Sequence, residues 1–286
     1  MKYAVISDVH ANLEALTSVL RKIDQLGVDA VVCLGDIVGY HADPNRCIEL
    51  LRAAGAICIA GNHDRAALGL KDTLKFGARA RRVIHWTKSV LDDTSREFLS
   101  ELPLSRVVST KPGEGAAFGA FFCVHGALHP APNDDIHLSS VAKVEQSLDQ
   151  LATGRFGTRL CFFGHTHHAI VHAQLGTWRA SRGADPQLLD GRHGFYLVNP
   201  GSVGEPRDGD GRAGFLTFDS HTGIVAFHRV SYNVIACWAK VEAAGLLREP
   251  TKLSRSTDWL YDKLDSGRGV ARRLASVFGQ RDSRAS

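Results

Sequence analysis

Apolar runs of strand length recur through the first two-thirds of the chain, and each ends at a glycine or a polar residue. They cover residues 3–7, 30–34, 56–60, 118–124 and 160–163. Segments with helical patterns lie between the first and second runs and between the second and third. Strands that alternate with helices at short spacing predict right-handed βαβ units and a sheet covered by helices on both sides. The fold class predicted from the pattern is therefore α/β.

The helical segments show an apolar face and residues that start or stop a helix. One helix ends at Gly27, where a glycine can adopt the left-handed cap conformation, and a second opens at Asp43-Pro44. We also predict helices over about residues 74–91 and 139–151. A late β-hairpin is predicted over 214–218 and 224–230, and excursions from the sheet over 110–115 and 177–192.

The composition is that of an ordinary folded protein, which excludes collagen-like, coiled-coil and globally disordered chains. Of the 286 residues, 44% are hydrophobic and 22% are charged. No apolar run approaches the roughly eighteen residues of a membrane span, and Asp8 interrupts the N-terminal apolar stretch too early for a signal peptide. The six cysteines show no CxxC spacing, so we expect reduced thiols. These features predict a cytoplasmic protein without disulfides.

The formal net charge of +4 is concentrated near the C-terminus. Residues 248–286 carry nine Lys or Arg and five Asp or Glu, so the rest of the chain is formally neutral. We predict a main domain over residues 1–247 and a basic helical extension over 248–286. A basic amphipathic helix can bind nucleic acid or a membrane surface, but a packed or frayed terminal helix is the commoner fate, so we expect no such binding.

Polar residues follow the strand-like runs at the carboxyl end of each run. They are Asp8 and His10, then Asp36, then Asn62 and His63, then His125, and finally His165 and His167. In an open α/β sheet these strand ends lie along one rim, where ligands bind. Polar groups beside a packed sheet are costly without a partner, so one shared partner is the simplest explanation for the whole set.

The chemistry of this set favours a metal site. Apart from His63, it holds two carboxylates, one amide and four imidazoles, and it contains no thiolate. Such oxygen and nitrogen ligands suit Mn, Fe, Zn, Co or Ni and disfavour an all-oxygen Ca or Mg site. Seven ligands exceed the needs of one tetrahedral zinc but suit two metals about 3.5 to 4 Å apart. Asp36, which stands alone after its strand, is the candidate bridging ligand.

These residues lie in five short blocks along the chain. The blocks are Asp8-Val9-His10, Gly35-Asp36, Gly61-Asn62-His63-Asp64, His125-Gly126 and Gly164-His165-Thr166-His167. Together they resemble the blocks of the calcineurin-like metallophosphoesterase superfamily, and the stretches 8–16 and 199–204 are similar to its bacterial and archaeal small-phosphoesterase branch. The resemblance covers about residues 1–230. It implies a two-sheet α/β/β/α sandwich with mixed sheets flanked by helices.

The resemblance also implies a role for each residue. Asp8, His10, Asp36 and His167 would hold a first metal, and Asp36, Asn62, His125 and His165 a second. Water activated by the two metals would attack phosphorus in line. His63 would protonate or stabilise the leaving oxygen. Of the metals that suit the site, Mn or Fe is favoured.

Departures from the family pattern narrow the substrate. The protein Ser/Thr phosphatase branch has a second aspartate three residues after the bridging one, followed by an arginine and a glycine, whereas this chain has Gly39-Tyr40-His41. A protein phosphatase is therefore disfavoured. The histidine at position 63 keeps monoesters and phosphoanhydrides open beside diesters, and similar relatives include hydrolases of diadenosine tetraphosphate. We expect a small, nucleotide-like phosphate ester or anhydride.

Two alternatives to an enzyme are considered. The chain could be an interaction scaffold with a vestigial site, or a regulatory protein that binds metal or nucleotide without significant turnover. Vestigial sites usually have broken ligand sets, whereas the set in this chain is complete. The enzyme is therefore the favoured interpretation.

Several polar residues near the blocks are candidates for substrate contacts. Asn12 and Arg65 follow ligand blocks and could contact phosphate, although a helix N-cap and a solvated charge are the simpler interpretations. His41 and His168 could touch substrate because they lie close in sequence to the same blocks. Asp64 follows His63 in a segment expected to be extended, so no contact with the site is assumed. The remaining histidines are expected to be structural or solvent-facing.

Overall fold

The structure is a computed structural model that describes residues 1–110, 113–174, 178–181 and 185–247. The predicted basic extension over residues 248–286 lies outside the described residues, as does part of the predicted excursion over 110–115.

The described residues form twelve strands and seven helices. The strands are β1 (Lys2–Ile6), β2 (Ala30–Cys33), β3 (Ile57–Cys58), β4 (Ser105–Ser109), β5 (Ala120–Val124), β6 (Leu160–Phe163), β7 (Ala169–Gln174), β8 (Trp178–Ser181), β9 (Gln187–Leu188), β10 (Phe195–Pro200), β11 (Ala213–Asp219) and β12 (Ile224–Val230). The helices are α1 (Leu13–Gln25), α2 (Pro44–Ala53), α3 (Asn62–Ala67), α4 (Ala78–Val90), α5 (Asp93–Glu101), α6 (Val141–Ala152) and α7 (Val234–Ala243).

The strands form two six-stranded mixed sheets. The first sheet has the order β3-β2-β1-β11-β12-β9, in which the three N-terminal strands are parallel and the others antiparallel. The second sheet has the order β4-β5-β6-β10-β7-β8, with a parallel centre of β5, β6 and β10 between antiparallel edges.

Alternating side chains of each strand enter different hydrophobic layers, as the two-residue period of a strand requires. In β1, Tyr3 and Val5 pack with Phe121 and Phe162 of the second sheet, so this layer lies between the sheets. Ala4 and Ile6 face the other way, into a layer that contains Leu16 and Val19 of α1 together with residues of α2.

The second sheet repeats this arrangement on its own outer face. Phe122 and Phe163 pack there with Val144 and Leu148 of α6. The layers are therefore helix, sheet, sheet and helix, which confirms the α/β/β/α sandwich. The expectation from the βαβ pattern alone, that helices cover both faces of one sheet, is wrong. One face of each sheet is covered by the other sheet, because both faces of these strands are apolar and either kind of layer can bury them.

The five predicted strands and the late hairpin are present, but several other elements differ from the prediction. The segment 177–192 was expected to leave the sheet, yet it contains β8 and β9. The helix expected from about residue 74 begins at Ala78. Six elements had no clear sequence pattern and were not predicted: β4, β7, β10, α3, α5 and α7. β4 is largely exposed at an edge of its sheet, which removes the apolar alternation used to recognise strands.

All six cysteines are unpaired and buried, which confirms the absence of disulfides. In the described part of the chain, every helix is too short or too polar to pass through a lipid bilayer.

Candidate metal centre

The predicted ligands gather where the two sheets meet. Asp8 and His10 follow β1, and Asp36 follows β2, so these three come from the first sheet. Three further ligands follow β5 and β6 of the second sheet; they are His125, His165 and His167. Asn62 begins α3, directly after β3. All seven side chains are buried. The sequence pattern predicted that these residues lie along the rim of one sheet, whereas they lie where two sheets meet.

Each histidine ligand is held by a contact from one ring nitrogen to a backbone carbonyl. Nδ1 of His10 lies 3.2 Å from the Val38 oxygen, and Nδ1 of His125 lies 2.7 Å from the Leu34 oxygen. Nδ1 of His167 lies 2.5 Å from the Glu205 oxygen. A carbonyl only accepts, so in each neutral ring Nδ1 carries the hydrogen and Nε2 presents a lone pair.

His165 is held in the opposite sense. Its Nε2 lies 3.1 Å from the Asp135 carbonyl oxygen, so Nδ1 is the atom that presents a lone pair. In histidines that bind metals, a hydrogen bond from the other ring nitrogen fixes the tautomer and the orientation of the ring.

The ring nitrogens that make no carbonyl contact lie close to one another and to the carboxylates. Nε2 of His10 and Nε2 of His167 are 3.2 Å apart, and neither has a hydrogen to share with the other. Oδ1 of Asp8 lies 3.2 Å from Nε2 of His167. Oδ2 of Asp36 lies 3.3 Å from Nε2 of His125 and 3.7 Å from Nε2 of His10. Lone pairs turned toward a common point repel each other unless a cation lies between them.

The backbone around these ligands is strained. In the described part of the chain, seven non-glycine residues have a positive φ, and five of them are candidate ligands. The five are Asp8, His10, Asp36, His165 and His167, with φ between 50° and 66°. Left-handed conformations at such residues cost about 1–3 kcal/mol each and cluster at functional sites. These backbone conformations lower the stability of the fold, and they set the direction of the candidate ligand side chains.

Two glycines are required next to the ligands because no side chain fits there. A Cβ at Gly61 would overlap the backbone nitrogen and carboxylate of Asp36. A Cβ at Gly164 would overlap Oγ of Ser7 and lie 3.2 Å from Oδ2 of Asp8. The glycines in the sequence blocks thus allow close approach to the carboxylates.

Burial and mutual charge shift the pKa values of the acidic ligands in opposite directions. Burial raises the pKa of Asp8 to about 7, although the charge of His125 opposes the shift. Burial also acts to raise the pKa of Asp36, but His125 and His63 outweigh it and hold that pKa well below its usual range.

The pKa values of the candidate histidines also shift in opposite directions. Burial lowers the pKa of His10, His165 and His167 well below the usual histidine value, so all three candidate ligands are neutral at pH 7. Burial acts to lower the pKa of His125 too, but Asp36 and Asp8 raise it to about 10. In the metal-free protein, a proton on His125 therefore provides the cationic partner of Asp36.

One candidate ligand atom, Oδ1 of Asn62, is buried without a hydrogen-bond partner among the described residues, whereas Nε2 of His125 has the Asp36 carboxylate 3.3 Å away. Three groups of ligand atoms lie close enough to share an ion: Asp8 with His10 and His167, Asp36 with His125 and His165, and His10 with Asp36 and His63. The donor set and its unpaired atom fit divalent metal ions that accept nitrogen and oxygen ligands.

Comparison with known proteins shows the family of the chain. A model of the calcineurin-like phosphoesterase superfamily domain matches residues 1–223, which contain every candidate ligand. The chain belongs to this superfamily. The superfamily is metal-dependent, and membership indicates a hydrolase of phosphoesters.

Individual relatives cover most of the chain. A metallophosphoesterase from Sphaerobacter thermophilus is 35% identical, with a TM-score of 0.70, over 86% of this chain and 95% of its own. An uncharacterized protein of Methanocaldococcus jannaschii is 33% identical over 265 residues, which is 93% of this chain and 98% of that protein. A hypothetical protein from Pyrococcus horikoshii shares the fold at 20% identity and a TM-score of 0.69, over 86% of this chain and 94% of its own.

His63 of this phosphoesterase domain lies beside the ligands. Its peptide N–H donates to Oδ1 of Asp36 over 2.8 Å, and its ring centre is 4.8 Å from that of His10. Nδ1 of His63 is buried with no hydrogen-bond partner among the described residues. A Cβ at Gly39 would overlap this nitrogen, so glycine is needed there. Burial lowers the pKa of His63 to about 4, so the ring is neutral in the metal-free protein at pH 7.

Asp64 contacts the backbone of the site, contrary to the expectation of an extended segment. Residues 62–67 are helical, and the Asp64 carboxylate accepts hydrogen bonds from the N–H groups of Gly61 and Val38 over 2.9 and 3.0 Å. The side chain therefore ties the loop after β2 to the start of α3.

The two candidate phosphate contacts, Asn12 and Arg65, both have partners within the protein. Asn12 is fully buried, accepts from the N–H of Ala15 as the N-cap of α1, and donates to the Gly204 carbonyl, so the capping interpretation is the correct one. Arg65 pairs with Asp134 at 3.1 Å and does not line the cavity at the centre. Its charge is therefore paired with a carboxylate, and its contact with phosphate stays a prediction.

His41 and His168 also differ from a simple contact role. His41 is buried, with Nδ1 3.0 Å from the His10 carbonyl oxygen and Nε2 3.7 Å from the Glu205 carboxylate. It therefore contacts the backbone of His10 and does not line the cavity at the centre. Nδ1 of His168 contacts the Thr166 carbonyl at 2.5 Å, and its side chain lines a separate cavity.

A cavity of about 570 Å³ opens onto the candidate centre. Besides Asp36, Asn62, His63, His165 and His167, six of its polar lining residues were not candidates from the sequence: Tyr40, Lys75, Asn133, Asp135, His137 and Arg207. All six lie outside the five sequence blocks, where no sequence pattern marks them. Tyr40 is the nearest to a block, since it follows Asp36 by four residues.

Proposed function

We propose that this protein hydrolyses a phosphate ester or anhydride of a small, nucleotide-like molecule at a centre of two divalent metal ions. The observation that carries this proposal is the convergence of ring nitrogens whose lone pairs are freed by carbonyl contacts. His10 and His167 face each other at 3.2 Å between two carboxylates. Only a cation makes that arrangement favourable.

The proposed division of ligands follows the observed groups. Asp8, His10 and His167 form one group and Asp36, His125 and His165 another. Asp36 is the proposed bridge because one of its oxygens lies near histidines of both groups. Asn62 completes the second group through Oδ1, which has no hydrogen-bond partner among the described residues. Manganese or iron is the proposed metal, since both accept mixed nitrogen and oxygen ligands.

When bound, the two cations would neutralise the phosphoryl group and lower the pKa of attacking water. The chain itself supplies the rest of the binding site. Arg207 and Lys75 line the cavity as exposed cations that can bind phosphate oxygens. The cavity volume of about 570 Å³ lies within the range of sites for small molecules.

His63 is the proposed group that assists the leaving oxygen. Because it is neutral in the metal-free protein at pH 7, it must gain a proton before it can act as an acid. An anionic substrate in the cavity would raise its pKa. Otherwise a neutral His63 can still donate a hydrogen bond to the leaving oxygen.

The cytoplasm is the proposed location. All six cysteines are unpaired and buried, which suits a reducing compartment.

The proposal is tested by metal-dependent hydrolysis of a chromogenic phosphodiester and the matching monoester. Metal-depleted protein is titrated with manganese, and Asp36→Asn is compared with Asp24→Asn, an exposed carboxylate on α1. We expect manganese to restore turnover in the parent and in Asp24→Asn. Asp36→Asn should lose at least about 100-fold in kcat and bind less metal, because metal neutralisation of the phosphoryl group is worth several kcal/mol.

The outcomes separate the alternatives. A dominant diester rate points to cyclic or dinucleotide substrates, and a dominant monoester rate to nucleotides or phosphorylated metabolites. Near-normal turnover by Asp36→Asn would remove the metal centre from the mechanism. Bound manganese without turnover of either ester or of a phosphoanhydride would favour a binding or scaffold protein.

A further inference from the structure

A second cavity adjoins the one at the metal centre. Its volume is about 650 Å³, and it lies between α6 and the loop that follows β6. His137 and Arg207 line both cavities, so the two adjoin at these side chains. None of the seven candidate ligands lines the second cavity, and it plays no part in the metal chemistry described above.

The surface of the second cavity is mostly apolar, although seven of its eleven lining residues carry polar side chains. Val144 of α6 and Ile170 of β7 belong to the hydrophobic layer outside the second sheet. His168 adds a ring whose Nδ1 contacts the Thr166 carbonyl, which holds the ring in place. Thr166 and Ser140 add hydroxyl groups. Apolar walls with a few placed polar groups are typical of a pocket for an organic ligand rather than for an ion.

Arg207 lies at the shared edge, where its guanidinium contacts Tyr40. Its Nη2 atom lies 3.3 Å from the hydroxyl of Tyr40, and its guanidinium is 5.7 Å from the centre of the Tyr40 ring. Among the described residues, no carboxylate lies within ion-pair distance of it. A guanidinium held in this way can contact a phosphate oxygen and also stack on a flat ring.

We propose that the second cavity binds an aromatic ring of the organic group that the substrate phosphate carries. This rests on the proposed function, since it places the phosphate in the metal-centre cavity and the ring beyond Arg207. The volume of about 650 Å³ exceeds what a methyl group or inorganic phosphate would fill. A ring would cover the apolar walls and stack against His168 or Arg207, and the hydroxyls of Thr166 and Ser140 would meet polar atoms at its edge.

The test compares phenylphosphonate with methylphosphonate as ligands of the manganese-loaded protein. Both carry a phosphorus–carbon bond that is not hydrolysed, so affinity is measured without turnover. Titration calorimetry should show that phenylphosphonate binds at least about tenfold more tightly, because only its ring reaches the second cavity.

Ser140 provides the variant that fills the cavity. It precedes α6, and its side chain makes no capping hydrogen bond, so replacing it removes no contact of the helix. Ser140→Phe should bring the ratio of the two affinities close to one and leave the affinity for methylphosphonate unchanged. Ser140→Ala leaves the cavity open and removes only a hydroxyl for which the phenyl ring has no polar partner, so it should keep the parent ratio for these two probes. Ser139→Phe, at the neighbouring exposed position, repeats the test if Ser140→Phe fails to fold.

Each result decides the proposal. Equal affinities in the parent, an unchanged ratio in both phenylalanine variants, or no binding of either phosphonate would overturn it. The proposed function fails separately: if manganese supports no hydrolysis but the phenyl preference and its loss are seen, the ring site stands and the enzyme does not. If hydrolysis is seen but the phenyl preference is not, the enzyme stands and the ring site does not.

Discussion

The histidines around the centre show how a single carbonyl contact sets the chemistry of a residue. His10, His125 and His167 use Nδ1 for that contact and turn Nε2 inward, whereas His165 uses Nε2. The contact selects the tautomer, and the tautomer selects the atom available to a metal. His63 has no such contact at Nδ1 among the described residues. It is therefore the histidine best suited to exchange a proton or hydrogen bond with substrate.

His63→Ala should retain metal and lose rate. Its contact with Asp36 is made by the backbone N–H, so alanine keeps that hydrogen bond. We expect kcat to fall by about 10²- to 10⁴-fold, most strongly for esters with poor leaving groups, because such groups need help most. Metal content and kcat on monoesters of different leaving-group pKa are the measurements. His85→Ala, at an exposed position of α4, is the matched control.

Two results would contradict this role of His63. Unchanged kcat would show that the metals act without it. Loss of bound metal would make His63 a ligand, as its closeness to His10 and Asp36 also permits.

At the scale of elements, the site depends on how closely the start of α3 approaches the end of β2. The N–H of His63 donates to Asp36, and the Asp64 carboxylate accepts from the backbone of both segments. Gly61 permits this approach because any Cβ there would overlap Asp36. A six-residue helix has little stability of its own, so these contacts hold it in place.

Gly61→Ala should displace the candidate bridging residue Asp36 without replacing any candidate ligand. The added methyl group must displace Asp36 or α3, and overpacking of this kind costs about 1–3 kcal/mol. We expect a lower free energy of unfolding together with weaker manganese binding. Gly211→Ala is the control, because its added Cβ meets no neighbour within 4 Å and its φ is ordinary, so its effect should stay within about 0.5 kcal/mol. Parent-like manganese affinity in Gly61→Ala would show that Asp36 does not depend on this approach.

At the scale of the whole molecule, the centre joins the two sheets. The carboxylates come from the first sheet and three of the histidines from the second, and all of them are buried at the junction. Without metal, the proton on His125 partly offsets the buried charge of Asp36. The stability of the metal-free protein is therefore linked to pH through this histidine.

Metal-free protein should lose stability as pH rises from about 7 to about 10. Burial acts to lower the pKa of His125, but Asp36 and Asp8 raise it to about 10, whereas in the unfolded chain it is about 6.5. Between these values the folded state holds a proton that the unfolded state has lost. The free energy of unfolding therefore falls with pH, by up to about 1.4 kcal/mol per pH unit.

Urea unfolding at several pH values measures this slope. His125→Gln should show a smaller slope over the same range, and manganese should reduce the slope of the parent because metal displaces the proton. Identical slopes in the parent and His125→Gln would show that His125 is not the group responsible.

The five early strands, the late hairpin and the polar residues that follow the early strands were predictable from the sequence alone. Apolar runs that end in Asp8, Asp36 or His125 place those side chains at carboxyl ends of strands, and carboxyl ends of parallel neighbours share a rim. This reasoning finds the candidate ligands because it needs only local patterns. It could not show that the rim is built from two sheets, since β4, β7 and β10 carry no clear pattern and their pairing is decided by contacts between distant residues.

Other features were decided only by the tertiary structure. Arg207, Lys75 and His137 reach the cavity through loops whose paths depend on how the sheets and helices pack. The same packing buries Asn12 as a helix cap and pairs Arg65 with Asp134, although both residues follow ligand blocks in the sequence. A strand determines the direction of its own side chains, whereas the meeting of loops far apart in sequence is set by the packing of the whole molecule.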